Sequence, residues 1–265
     1  MIKKIESSLS KPASEFGHET DLWTCNRVHQ LLTSTFGLDI SRGHIWLILR
    51  QAGFSYQKPE RRYYESDPVA QEEWLKKELP KIKKKALKHR AILYFEDEAS
   101  VSLTPVLGKT WAKKGQTPLV KSTGNRGSLA ALSAISTSGH LVFNLKRGRI
   151  NSDDVIDFLG QMLDQHKRRH LVVVMDRAAT HTSKKVRNFI GSQKRLHVFY
   201  LPPRSPNLNP DEKVWNHLKH HDLKGHKETT LDGLERLSNE KLSALSSDPR
   251  KVRGIFLRSE IGKLL

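Results

Sequence analysis

The apolar positions of this chain change texture near residue 90. Before it they recur at helical spacing; after it short apolar runs alternate with amphipathic stretches. Residues 1–18 are polar, contain Pro12 and show no periodic apolar face, which reads as a linker or arm. Leu22, Val28, Leu31, Leu32 and Phe36 predict a helix capped by Thr20 or Asp21. Gly37-Leu38-Asp39-Ile40 is a turn. Ser41 caps a second helix with Ile45, Trp46, Ile48 and Leu49 as its apolar side, and Gly53 closes it. Two short helices around a glycine turn suit a helix-turn-helix over 19–64, although the pattern alone fits any helical hairpin equally well. The extended, basic FSYQKPERRYY that follows suits a wing. Asp67 and Pro68 start a basic helical linker, 65–90, that Pro80 is expected to interrupt.

The second texture predicts an α/β domain. AILYFE (91–96) reads as a buried strand and Thr110–Val120 as a short hairpin around Lys113-Lys114-Gly115. Strands Leu129–Ile135 and Leu141–Leu145 meet at Ser138-Gly139. Asp153–Leu163 is an amphipathic helix, with Asp153 and Asp154 as its cap. The continuous run Leu171–Met175 suits a strand covered on both faces. A helix over Ser183–Ile190, a strand over His197–Leu201, a proline-rich loop and a helix from Asp211 complete it. The order is antiparallel strands first, then strand-helix alternation, with C-terminal helices over 229–265.

Charge narrows the partners. Lys and Arg total 46 against 28 Asp and Glu, a net +18, which points to a polyanion such as nucleic acid. From Lys76 to Arg90 eight basic residues face Glu78 alone. Such a run is commonly a solvated face, but between two DNA-handling units it suits phosphate contact. Candidate DNA contacts are Arg42, His44 and Arg50 on the second helix, Lys58, Arg61 and Arg62 in the wing, and Lys83, Lys84 and Lys85 in the basic run. No apolar run approaches the ~20 residues that span a bilayer, Met1–Ser10 lacks the apolar core of a secretory signal, and the single Cys25 excludes a disulfide scaffold. These features suit a basic, globular, nucleic-acid-binding protein of a reducing compartment.

Three acids stand out by position. Asp97 follows AILYFE, Asp176 follows LVVVM, and Glu212 opens the helix after the proline loop. Carboxylates just past strand C-termini line the crevice where open α/β sheets bind ligands. A lone strand-end Asp is more often a turn former; two, joined by a first-turn Glu, suggest a shared site. Clustered carboxylates repel unless a cation neutralises them, and hard oxygen ligands suit Mg²⁺ or Mn²⁺. Alternation points Glu96 and Glu98 away from Asp97, and Asp211 reads as a helix-dipole partner. His217, His220, His221 and His226 are too loosely spaced for a convincing zinc site, and Cys25 reads as a packed side chain. There is no phosphate-cradling glycine loop.

The segments YFEDEASV, VVVMDRAATHTSKKV and FYLPPRSPNLNPDEKVWNHLK resemble the transposases of the mariner superfamily, closest to their bacterial IS-six-thirty-like insertion-sequence branch. The resemblance runs from about Asp21 to about Lys224. It implies a ribonuclease-H-like catalytic domain over 91–228, a mixed sheet flanked by helices, behind a small winged-helix-like helix-turn-helix. It places the catalytic and metal-binding acids on Asp97, Asp176 and Glu212, the last two 36 positions apart. It implies Mg²⁺-dependent cutting of element ends and joining of 3′-hydroxyls to a TA target, by a homodimer on DNA in the bacterial cytoplasm, associated with the nucleoid. Trp215 and Leu218 would anchor the Glu212 helix. His181 matches the family pattern and is expected to order the loop after Asp176 rather than to touch substrate; Arg177 departs from it, where it would either pair with a phosphate or disturb the metal site. The rivals are a non-catalytic DNA-binding remnant and a ribonuclease-H-type nuclease without strand transfer. Relatives of this kind carry two helix-turn-helix units, so this chain is expected to begin at the second and to discriminate element ends poorly.

Overall fold

The structure, a computed structural model, describes residues 2–57, 59 and 67–265, with backbone alone at residues 2–4. The chain divides into two compact units, 1–62 and 63–265.

The first unit is a small helical domain. Helices α1 (Ile2–Leu9), α2 (Cys25–Phe36) and α3 (Arg42–Gln51) bring Ile5, Val28, Leu32 and Ile45 into one buried cluster. The first residues are therefore not an arm. Ile5 is fully buried, and Leu9 packs beside it at helical spacing. The α2 cap is Thr24, whose hydroxyl accepts from the Arg27 amide, rather than Thr20 or Asp21. Thr20 instead bonds the Arg27 guanidinium, which fixes the approach to the helix. Gly37 ends α2 with φ +63°, a conformation that a Cβ would strain, and Ser41 caps α3 as expected. Trp46 does not join the apolar side of α3; it is half exposed, with the Arg50 guanidinium 5.6 Å above its ring.

The second unit is a five-stranded mixed sheet in the order β3-β2-β1-β4-β5. Its strands are β1 (Ile92–Ser102), β2 (Ser128–Ser136), β3 (Leu141–Arg147), β4 (Leu171–Met175) and β5 (Leu196–Tyr200). The β1–β2 and β2–β3 pairs are antiparallel, and β1–β4 and β4–β5 are parallel. This is the ribonuclease-H-like arrangement. Strand alternation divides the core. Leu93, Phe95, Val172 and Val174 face α4 (Pro68–His89), α7 (Glu212–His217), α8 (Leu231–Ser246) and α9 (Pro249–Leu257). Tyr94, Val173 and Met175 face α5 (Ser152–Gln165) and α6 (Lys184–Ser192).

Several expectations change here. Strand β1 does not stop at Glu96 but runs on to Ser102, because its antiparallel pairing with β2 continues to Ser128. Residues 110–120 form no hairpin; the segment is irregular and carries the fully exposed Trp111. Pro80 does not interrupt α4, which runs for 22 residues. The ring lies on the exposed side, where the carbonyl it leaves unpaired meets water, while Trp74, Leu79 and Ile82 hold the buried face. The α5 cap is Asn151, with Asp154 completing a capping box.

Candidate active site

Parallel pairing brings the two aspartates together. Phe95 lies beside Val174, so two residues further on the same register sets Asp97 beside Asp176. Asp97 stands where β1 overhangs the end of β4, on the face that carries Phe95. The third acid arrives through the loop after β5. Asn209 Nδ2 donates to the Glu96 carbonyl at 2.8 Å, and Asn209 Oδ1 accepts from the Asp211 amide at 3.2 Å. The SPNLNP loop is thereby fastened to β1 one residue before Asp97. Trp215 and Leu218, both buried, seat the Glu212 helix in the core. Asp97, Asp176 and Glu212 line one cleft of about 350 Å³, together with Arg177, Arg204 and the Pro202–Pro206 loop.

The electrostatics of this cleft are those of a cation site. Burial, then Asp211, Glu212, Glu96 and Asp176, hold the Asp97 carboxyl up to about 9. Its Oδ2 is buried with no hydrogen-bond partner. Such a carboxylate needs a positive partner, and three carboxylates facing one cleft supply the hard oxygen donors that Mg²⁺ and Mn²⁺ prefer. The residues present therefore fit a divalent ion. Asp176 is the opposite case. His181 Nδ1 donates to its Oδ1 at 2.7 Å and the Ala178 amide at 2.8 Å, which holds its carboxyl below the usual range.

Two neighbours carry more than the sequence indicated. Asp211 is not a solvent-side dipole partner: it is fully buried, accepts a hydrogen bond from Ser133 Oγ, and is pushed well above the ordinary carboxylate range by burial. Glu96 does point away from Asp97, but into the core rather than to water. It lies 3.5 Å from His181 Nε2, with Glu98 3.2 Å from the same nitrogen. The Asn-Pro-Asp-Glu stretch was the signal for Asp211. Nothing local marked Glu96, since its partner is 85 residues away in sequence.

The remaining candidates separate by element. Arg42, His44 and Arg50 are all exposed on α3, where Arg42, Trp46 and Arg50 share a stripe at i, i+4, i+8. His44 is turned about 160° from Arg42 by helical geometry, so one groove contact cannot use both equally. Lys58, Arg61 and Arg62, with most of the predicted wing, lie outside the described residues. In the basic run, Lys76, Lys77 and Lys81 pair with Glu72, Glu73 and Glu78, and Lys83 donates to the Leu264 carbonyl. Lys84 and Lys88 are exposed and make no ion pair among the described residues, and Lys85 is half-buried. Arg177 lies 5.8 Å over the Tyr200 ring at the cleft wall.

Asn209→Ala is expected to cost about 1–3 kcal/mol, the penalty of an unpaired buried carbonyl. It should also lower single-turnover cleavage by roughly 10²-fold, because Glu212 shifts with its loop. Asn207→Ala removes only exposed hydrogen bonds, to Gln71 and Glu260, whose groups water can satisfy, and should stay within ~0.5 kcal/mol. Equal effects of the two in urea unfolding and cleavage assays would disprove the fastening role.

Carboxylates gathered at the C-terminal ends of the inner strands of a ribonuclease-H-like sheet define a nuclease or polynucleotidyl transferase. The family model described as DDE superfamily endonuclease matches residues 92–235, and that described as winged helix-turn helix matches 19–78. The insertion element IS630 uncharacterized 39 kDa protein of Shigella sonnei is 20% identical over 250 residues, covering 91% of this chain and 70% of that protein. An uncharacterized protein, y4pE/y4sA, of Sinorhizobium fredii is 29% identical over 89 residues, covering 34% of this chain and 63% of that protein. Among solved structures, the Mos1 strand transfer complex has a TM-score of 0.68 at 18% identity, covering 97% of this chain and 73% of that one. The Mos1 mariner paired end complex with Mn has a TM-score of 0.69 at 18% identity, covering 97% and 74%. The chain belongs to the DDE superfamily endonucleases.

Proposed function

We propose that Asp97, Asp176 and Glu212 hold divalent ions for cutting the ends of a DNA element and joining the freed 3′-hydroxyls to target DNA. The observation that carries this reading is the convergence of the three carboxylates, from β1, β4 and α7, in one cleft beside Arg177 and Arg204. Two ions there, when bound, activate a water or hydroxyl and stabilise the leaving oxygen of a phosphodiester. The chain's own groups do the rest. Asp97 is fixed within β1, Asp176 directly follows β4 with its carboxylate oriented by His181, and Asn209 sets the loop that carries Glu212. Arg177 and Arg204 place positive charge on the cleft wall for the scissile phosphate and its neighbours.

Mg²⁺ is the cofactor in this reading and Mn²⁺ its substitute; a Mos1 paired end complex is described with each. The partners are element terminal repeats, read through the α3 stripe, and a TA target. Two copies of the chain act together, one for each end, in the bacterial cytoplasm. No helix among the described residues is long and apolar enough to cross a membrane. A supercoiled plasmid carrying two element ends tests the reading: Mg²⁺ or Mn²⁺ should release the ends and a chelator should stop release. Pre-cut ends with a target plasmid should then yield joined products. Hydrolysis without joining would make the protein a plain nuclease, and binding without cutting a DNA-binding remnant.

Neutralising Lys84 and Lys88 with Gln should lower the slope of log affinity against log salt by about 0.9 for each phosphate that loses its lysine. Affinity should fall alike for end and scrambled duplexes. The same change at the paired Lys76 and Lys77 should have less effect. An unaltered slope in the first variant would make this face of α4 merely solvated.

A further inference from the structure

Three histidines from separate elements meet at the end of the sheet remote from the carboxylate cleft. His89 is the last residue of α4, His170 immediately precedes β4, and His197 is the second residue of β5. One ring nitrogen from each lies within 4.8 Å of the others. His170 Nδ1 and His197 Nε2 are 3.3 Å apart, with the two rings nearly parallel at 5°. The His89 ring lies 4.8 and 4.7 Å, centroid to centroid, from those of His170 and His197. A stacked, hydrogen-bonded imidazole pair accounts for two of these rings. It leaves His89 Nε2, which is buried and has no hydrogen-bond partner.

We propose that His89, His170 and His197 form a zinc site, with water as the fourth ligand, that staples the end of α4 to the β4–β5 edge. In a tetrahedral site with Zn–N near 2.0–2.1 Å, two ligand nitrogens stand about 3.3–3.4 Å apart. The His170–His197 pair already has that spacing, and His89 has at most about 1.5 Å to close, a movement available to a side chain at a helix end. The backbone around the site is held. The His170 carbonyl accepts from the Ile92 amide at 2.9 Å, and the Arg169 guanidinium donates to the Arg90 carbonyl at 3.2 and 2.8 Å.

The chemistry of the set selects the ion. Imidazole suits Zn²⁺ over Mg²⁺, so the ion suited to the carboxylate cleft does not compete here. Lys85 and Lys88 are the charged groups that act on the cluster, and their charge limits affinity. Strand β4 alone spans roughly 17 Å, so the ion is too far from the cleft to take part in cleavage.

The full-length protein, freed of metal by a chelator and returned to excess Mg²⁺, would be titrated with Zn²⁺ alone. One equivalent is expected to bind and to raise the thermal midpoint. His197→Gln should weaken binding at least tenfold and remove the thermal shift. Lys85→Gln, an exchange on the half-buried side of α4, should tighten binding several-fold by removing a facing charge. X-ray absorption on the wild-type zinc protein decides the ligands without any variant: imidazole nitrogens near 2.0 Å support the site. An oxygen-only shell, no bound zinc, or affinity unchanged in both variants would overturn it. None of these outcomes bears on cleavage, so the transposase reading stands or falls separately.

Discussion

Asp97→Asn will abolish end cleavage and at the same time stabilise the metal-free protein. Both effects come from one buried charge. Asp97 lies under Asp211 and Glu212, and without a cation its carboxyl is held up to about 9 from an ordinary 3.8. A carboxyl raised on folding binds its proton more tightly in the folded state than in the unfolded one. Metal-free stability therefore falls as pH climbs from about 4 to about 9 through this group. Asparagine removes the charge and with it that part of the slope. At pH 8 the gain should be on the order of 1–3 kcal/mol, the cost of a buried unsatisfied group, and near pH 4 it should vanish. Each kcal/mol moves the melting temperature by roughly 2–4 °C in a unit of this size. Mg²⁺ should flatten the wild-type profile in the same way. Cleavage should fall by at least ~10³-fold, since a metal ligand is lost from a transition state that the ion stabilises by several kcal/mol. Melting curves across pH with and without Mg²⁺, beside plasmid cleavage, check both halves. Normal cleavage by the variant would refute the site assignment, and a lower melting temperature at pH 8 would refute the electrostatic account.

His181→Ala will destabilise the protein by about 3–5 kcal/mol, the usual loss when one partner of a buried ion pair is removed. His181 and Glu96 are each only 1% exposed; burial raises the Glu96 carboxyl even with the ring beside it, so removing the ring leaves Glu96 unpartnered in the core and driven to take up a proton, while Asp176 is freed to rotate. The carboxylates around His181 raise its proton affinity above the ordinary 6.5, first through Glu96 and then through Asp176. Its stabilisation is therefore complete below that pH and is lost only as alkaline pH removes the proton. Glu96→Gln combined with His181→Ala should cost clearly less than the sum of the single changes, because the second no longer leaves a buried carboxyl without its partner. Strict additivity in urea unfolding would show that the two do not act as a pair. Cleavage should fall in His181→Ala even where the protein remains folded, since Asp176 keeps only its bond to the Ala178 amide.

Local physics made much of this molecule legible in the sequence. A two-residue alternation placed Asp97 with Phe95 and Asp176 with Val174 on one face, and the parallel register sets those rows side by side. Ser41 and Asp67 cap their helices because a cap bonds amides only two or three residues away. The strand-end acids, the proline loop and the Trp215 anchor follow from patterns no longer than a dozen residues. The same kind of reasoning misjudged residues whose partners are remote. Ile5 lies in a polar stretch, yet α2 and α3 bury it. Trp46 has the right spacing for the core, but no further layer among the described residues covers it.

By itself the sequence determined the fold class, the basic character of the surface and the three acids that line the cleft. Those depend on composition, on periodicity and on bonds between near neighbours. Only the tertiary structure decided that Asp211 is buried against Ser133, that Glu96 meets His181, and that His89, His170 and His197 share one corner of the sheet. In each case the partners lie on different elements, brought together by strand order and helix packing. No local pattern records such a meeting, because the free energy that enforces it comes from burying the whole sheet between its two helical layers.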